Sequence, residues 1–196
     1  MSRLILALCV VMIVASCGER RGSAPSNLDN ACAILTERPN YVRAFRNAKR
    51  NWGVEPHILM AMIYQESRFI SNNRTPHQFV LGVIPVGRQS SAFGYSQALD
   101  GTWEEYQRDE GGRGARRDDM DDSADFMGWY MTGTTERTGV ALDDIRNQYL
   151  AYHEGRTGYL RGTYRSKSWL LRIADDVTAR AATYQGQLAN CRRARF

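Results

Sequence analysis

Apolar residues recur at helical spacing along most of the chain. Leu59, Met62, Ile63, Glu66, Phe69 and Ile70 stand at i, i+3, i+4, i+7, i+10 and i+11, one face of a helix expected over 55–69. Pro56 suits its first turn. Upstream, Tyr41, Val42, Phe45 and Ala48 give a face to a helix over 39–51. Downstream, helices are expected over 102–109, 122–132, 142–153 and 167–188, the third of these with Ile145, Tyr149 and Tyr152 along it. Thr102 and Glu105 have the spacing of a capping box, which gives Glu105 a structural task. Residues 71–94 break the helical pattern with Pro, Gly, Ser and Asn, and within them Gln78 to Ile84 (QFVLGVI) predicts a short hairpin. A segment of that length in a compact domain is usually functional. The fold class expected is mainly α.

One member of the 55–69 stripe is not apolar. Glu66 sits in line with the buried face, where a carboxylate must be paired or must hold its proton. Arg68, Arg43 and Arg46 are the candidate partners for a structural ion pair. A proton held near neutral pH is the functional alternative, because a general acid needs it.

Composition changes little. The chain has 196 residues, enough for one domain with a proper core. The formal charge of +5, with arginines at both edges (Arg20, Arg21, Arg192, Arg193, Arg195), suits an acidic polymer as partner. No RNA-binding aromatic motif, zinc finger or basic zipper occurs, so nucleic acid is not an expected partner.

The N-terminus changes the picture more. Arg3 precedes a short apolar run, residues 4–17, ending in small residues, the pattern of a secretory signal peptide over 1–16. The run is too short for a confident membrane span. Its end, Val14-Ala15-Ser16-Cys17, resembles the bacterial lipobox, in which the cysteine is lipidated and becomes the new N-terminus. Gly18 resembles the residue of outer-membrane sorting. The expected location is the periplasm, with the protein anchored to the outer membrane through Cys17. Residues 17–30 then read as lipid anchor and flexible tether, 31–191 as one domain, and 192–196 as a basic tail. With Cys9 lost in the signal and Cys17 lipidated, Cys32 and Cys191 remain in an oxidising compartment and are expected to pair.

Asp118, Asp119, Asp121, Asp122 and Asp125 invite a calcium reading, but the glycine and terminal glutamate of an EF-hand loop are missing. Acidic residues also favour a helix N-terminus. No metal or cofactor is expected.

Three short motifs stand in order: Glu66-Ser67, Gly94-Tyr-Ser-Gln97 and Ala151-Tyr-His-Glu-Gly155. In this order and context the chain resembles the lytic transglycosylases with an SLT, goose-lysozyme-like domain, over about 52–160 and more loosely the final helix. The resemblance implies a lysozyme-like fold with a substrate cleft and peptidoglycan glycan strands as partner. It implies Glu66 as the sole catalytic acid/base. Ser67 would help position substrate or the glutamate, Gly94 would let the backbone approach the sugar, and Gln97 would hydrogen-bond in the cleft. Tyr152 would bring its hydroxyl near the carboxylate, and Tyr95 and His153 fall within the substrate-binding motifs. Tyr95 and Ser96 depart from the family's aliphatic pair, and His153 replaces its asparagine, which leaves the role of that position open. Tyr159, Tyr164 and Trp169 are candidates for sugar stacking.

The chemistry agrees with these residues. Glycosidic cleavage needs a proton on the leaving oxygen, and an ordinary glycosidase also needs a second carboxylate. Asp100 and Glu154 are weak candidates for it. The expected reaction is therefore substrate-assisted lytic cleavage between N-acetylmuramic acid and N-acetylglucosamine, ending in a 1,6-anhydro ring. The alternatives are a hydrolytic muramidase using Asp100 or Glu154, and a non-catalytic wall-binding lipoprotein on the same fold.

Overall fold

The computed structural model describes residues 22–80, 84–194 and 196. The expected signal peptide, Cys9, the lipobox and Cys17 lie outside them. Among the described residues the fold is helical with one small hairpin. The helices are α1 (Ala31–Glu37), α2 (Asn40–Trp52), α3 (Pro56–Ser67), α4 (Asp100–Tyr106), α5 (Met120–Thr138), α6 (Ile145–Arg161) and α7 (Ser168–Ala189). Strands β1 (His77–Val80) and β2 (Ile84–Arg88) pair antiparallel, with an irregularity between Gln78 and Phe79. This mainly α architecture is the expected class.

Helix α3 is the centre of the molecule. Residues Ile58 to Ile63 are all buried, so the helix is covered nearly all round rather than along one stripe. It packs against α7, while α2 lies on α5 and α6 bridges α5 and α7. An aromatic cluster of Trp103, Tyr106, Phe126 and Trp129 ties α4 to α5, with ring centroids 5.1–5.9 Å apart.

Several elements differ from expectation. Helix α4 begins at Asp100 with Leu99 as its cap, and no side chain caps it. Thr102 is therefore inside the first turn, and the Thr102–Glu105 capping box does not form. A π turn, Gln107–Gly111, extends this helix. Helix α5 runs on to Thr138 through a threonine-rich end with little apolar periodicity. Thr134, Thr135 and Thr138 return their hydroxyls to the carbonyls four residues back, at 2.7–3.2 Å, and so satisfy their own polar groups within the helix. Helix α1 was not anticipated; it is short and is capped by the Asn30 side chain, which accepts from the Ala33 N–H at 2.9 Å.

The segment expected as a free tether is held on the domain from Gly22 onward. Pro25 is buried, Ser26 bonds Glu37 through its N–H and hydroxyl, and the Tyr184 hydroxyl donates to the Leu28 carbonyl. Ala194 and Phe196, in the expected tail, rest against the core. Cys32 of α1 is bonded to Cys191 beyond α7, with Cα atoms 5.6 Å apart.

The acidic run has structural employment. Asp119 caps α5, accepting from the N–H groups of Asp121 and Asp122. Asp121 pairs with Arg43, and Asp118 with Arg116. Asp125 accepts from Trp52 Nε1, Asn51 Nδ2 and the Tyr106 hydroxyl at 2.8–3.0 Å, pinning α2 and α4 to α5.

Candidate active site

Glu66 is in the last turn of α3, and the chain changes hand directly after it. Arg68 and Phe69 have φ of 54° and 60°, and Gln97 has φ of 51°. These three are the positive-φ residues other than glycine among the described residues, and all belong to or adjoin the motifs around Glu66. Such conformations are strained for side-chain-bearing residues and persist where surrounding contacts enforce them. The contacts are present. Phe69 is buried with its ring 6.0 Å from that of Tyr41. Asn73 Nδ2 donates to the Glu66 carbonyl at 3.3 Å.

The Glu66 carboxyl makes no ion pair among the described residues. Arg43 is engaged with Asp121, and Arg68 lies over the Tyr64 ring at 4.1 Å. Burial pushes the Glu66 pKa up to about 7, against the opposing effect of a hydrogen bond from the Tyr149 hydroxyl. Burial and the neighbouring Glu66 charge push Tyr149 and Tyr152 far above the usual tyrosine value, so both remain neutral donors. Tyr152 is close to Glu66, as expected, but its hydroxyl donates to the Ser96 carbonyl at 2.6 Å. Tyr149, one turn earlier on α6, is the residue that bonds Glu66. Its spacing from Tyr152 was the only signal for it, and a core tyrosine gives the same signal.

The loop from Asn73 to Ala98 closes over this helix end. Gly94 N–H donates to the Asn73 carbonyl at 3.0 Å. Gln97 Nε2 donates to the carbonyls of Asn73 and Gly94 at 3.0 and 2.8 Å, leaving Oε1 as its remaining polar atom. Asn73, which the motifs did not include, thus links the backbone of Glu66 to both ends of the Gly94–Gln97 motif.

Three of the expected substrate residues are packed into the scaffold. Ser67 is 1% exposed, and its hydroxyl donates back to the Ile63 carbonyl at 3.2 Å. Tyr95 is 9% exposed and shares a 3.0 Å hydroxyl–hydroxyl bond with Tyr41. Gly94 is buried with φ of 81°, and a Cβ there would collide with the Arg117 backbone, whose carbonyl accepts from the Tyr95 N–H at 3.1 Å. What approaches Gly94 is another stretch of this chain rather than open cleft.

The candidate cleft is a cavity of about 210 Å³ lined by Gln97, Leu99, Phe126, Tyr130, Tyr152 and His153, among others; Glu66 is not in its lining and adjoins it through Tyr152. The Tyr130 and Tyr152 rings meet edge-on at 5.1 Å. A larger polar groove of about 480 Å³ between α3 and α7 includes Ala61, Tyr64 and Arg68, which helical geometry puts on the side of α3 opposite Glu66.

Neither candidate for a second carboxylate is free. Asp100 pairs with Arg117 at 2.7 Å. Burial would raise the Glu154 pKa, but hydrogen bonds from Lys167, Thr163 and His153 outweigh it and hold the carboxyl at about 2. Tyr159 and Tyr164 stack on each other with centroids 5.2 Å apart.

Comparison with curated proteins finds no match. The family described as Transglycosylase SLT domain matches residues 5–191, nearly the whole chain and all three motifs. The chain therefore belongs to the SLT-domain transglycosylases, whose substrate is peptidoglycan.

Proposed function

We propose that the protein cleaves the bond between N-acetylmuramic acid and N-acetylglucosamine in peptidoglycan, with Glu66 as the single acid and base. The observation that carries this reading is the lone Glu66 carboxyl, raised to about 7 and free of any ion pair among the described residues. Such a group is protonated often enough to be an acid and ionised easily enough to be a base near neutral pH.

In the first step Glu66 gives its proton to the glycosidic oxygen as the C1–O bond breaks, and the N-acetylglucosamine side leaves as an alcohol. The carbonyl oxygen of the muramic acid N-acetyl group supports the positive charge at C1. In the second step the Glu66 carboxylate takes the proton of the C6 hydroxyl, whose oxygen forms a bond to C1 and displaces the N-acetyl oxygen. Water is not consumed, the product ends in a 1,6-anhydro ring, and Glu66 is again protonated. Two roles for one carboxyl remove the need for a second, which agrees with the engagement of Asp100 and Glu154 in ion pairs.

Tyr149 orients the Glu66 carboxyl by its hydrogen bond. Gln97, Tyr152 and His153 line the cleft and contact the glycan. Ser67, Gly94 and Tyr95 act through the scaffold that fixes Glu66 and Gln97. The test is clearing of purified sacculi in a gel: the wild type clears and Glu66→Gln does not. Equal clearing by both, or none by either, contradicts the proposal.

A further inference from the structure

Two aromatic side chains remain once the surroundings of Glu66 are accounted for, one lining the cavity and one packed against that side chain. His153 lines the cavity beside Tyr152 and Gln97. Its ring meets that of Trp169, at the start of α7, with centroids 5.2 Å apart and planes at 76°. Trp169 is 45% exposed, whereas Trp103 is buried and Trp52 and Trp129 are partly so. An exposed indole leaves a large flat apolar surface in water, which is unfavourable until something covers it.

The pair is rigidly mounted. Beneath it the Glu154 side chain is 4% exposed and accepts from Lys167 Nζ at 2.7 and 2.9 Å, from the Thr163 hydroxyl, and at 3.1 Å from His153 Nδ1. Lys167 directly precedes α7, so this ion pair ties α6 to the start of α7 and fixes His153 against Trp169. In the neutral imidazole, an Nδ1–H on the Glu154 carboxylate leaves Nε2 as an acceptor. The exposed Leu99 lines the same cavity. Tyr159 and Tyr164 offer no comparable surface, because they cover each other.

We propose that Trp169 and His153 form a saccharide-stacking subsite that takes the apolar face of one N-acetylhexosamine ring of a glycan strand, with Leu99 as a second apolar contact. The inference rests on the glycan-cleaving reading above. One face of a pyranose ring in these sugars carries axial C–H groups and matches an aromatic plane, while its hydroxyl and N-acetyl groups point to the rim. There, His153 Nε2 and Gln97 Oε1 are acceptors for sugar hydroxyls.

The test uses the full chain and soluble, uncrosslinked glycan strands of alternating N-acetylglucosamine and N-acetylmuramic acid. In a Glu66→Gln background, where strands stay intact, calorimetry measures binding and acrylamide quenching measures tryptophan exposure. Bound strands should protect tryptophan fluorescence from acrylamide. With Glu66 intact, Trp169→Ala should raise KM about tenfold with kcat within about twofold, and Trp169→Phe should recover most of the loss. Leu160→Ala, which removes another exposed apolar side chain (59%) outside the cavity lining, should leave KM unchanged. Thermal unfolding of Trp169→Ala should match the wild type. Strands that bind without protecting tryptophan, or a Trp169→Ala enzyme with the wild-type KM, would overturn the subsite. Strands that fail to bind Glu66→Gln at all would contradict the glycan reading and the subsite with it.

Discussion

Glu66 holds its proton near neutral pH because burial of its carboxyl outweighs the one tyrosine hydroxyl that supports the charged form. The acid step needs the protonated carboxyl, so kcat/KM should fall as pH rises through about 7. Removing the Tyr149 hydroxyl removes the contact that lowers this pKa. Tyr149→Phe should therefore move the alkaline limb to higher pH and, by loosening the carboxyl, lower the rate about tenfold; a pH–rate profile of both proteins checks the direction. The same shift is a stability statement. A carboxyl whose folded pKa lies above its unfolded 4.5 contributes stability that is fully present below 4.5 and lost as pH rises through about 7. Glu66→Gln avoids that loss. It should gain on the wild type between pH 5 and pH 8, by up to about 3 kcal/mol from the size of the shift. Thermal unfolding at the two pH values measures the gap. A structural ion pair predicts the opposite, since removing one partner strands the other.

At the scale of elements, the Gly94–Gln97 motif is a brace. Gly94 must be glycine because its φ is positive and because the Arg117 backbone occupies the space of a Cβ. Gly94→Ala should cost at least about 3 kcal/mol and most of the activity, read by thermal unfolding and product release. Helix α2, with its strong apolar periodicity, and α3, which is apolar nearly all round, were legible in the sequence to within two residues. The end of α5 was not, because its threonines bury no apolar stripe and satisfy themselves by bonding backwards. Helix α6 consists of two helical segments that meet at Gly155, whose φ of 72° breaks the helix close to where the sequence pattern ends it; the second segment, to Arg161, was not anticipated. The arrangement of the candidate site was legible where a motif marks a chemical group, since Glu66, Gln97 and Tyr152 do come together at the end of α3. It was not where a motif marks backbone geometry: Ser67, Gly94 and Tyr95 look like ligands in the sequence and are packed inside. Asn73 and Tyr149 were missed because a loop asparagine and a helical tyrosine have many other uses.

At the scale of the whole molecule, the two ends of the domain are joined. The Cys32–Cys191 bond closes a loop of 159 residues, and the Tyr184 hydroxyl on the Leu28 carbonyl lies beside it in the fold. Reduction, or Cys32→Ser with Cys191→Ser, should lower stability by about 4–5 kcal/mol on the chain-entropy account, measured as a fall in the denaturation midpoint. The lipid anchor is a separate proposal resting on the lipobox resemblance. Cys17→Ala should move the protein from the membrane fraction to the soluble periplasmic fraction, and retention through a covalent lipid would contradict it. Because the chain is packed on the domain from Gly22 onward, only a few residues separate that cysteine from the folded surface, and the enzyme would work close to the membrane.

The central claim is that one carboxyl, Glu66, performs both proton transfers and that the sugar supplies its own nucleophile. Mass spectrometry of the muropeptides released from purified peptidoglycan tests it directly. The account predicts 1,6-anhydromuramic ends from the wild type and a fall of at least about a hundredfold in their release by Glu66→Gln, the scale expected for loss of a general acid. Reducing muramic acid ends from the wild type, or anhydro ends still released at the wild-type rate by Glu66→Gln, would contradict it.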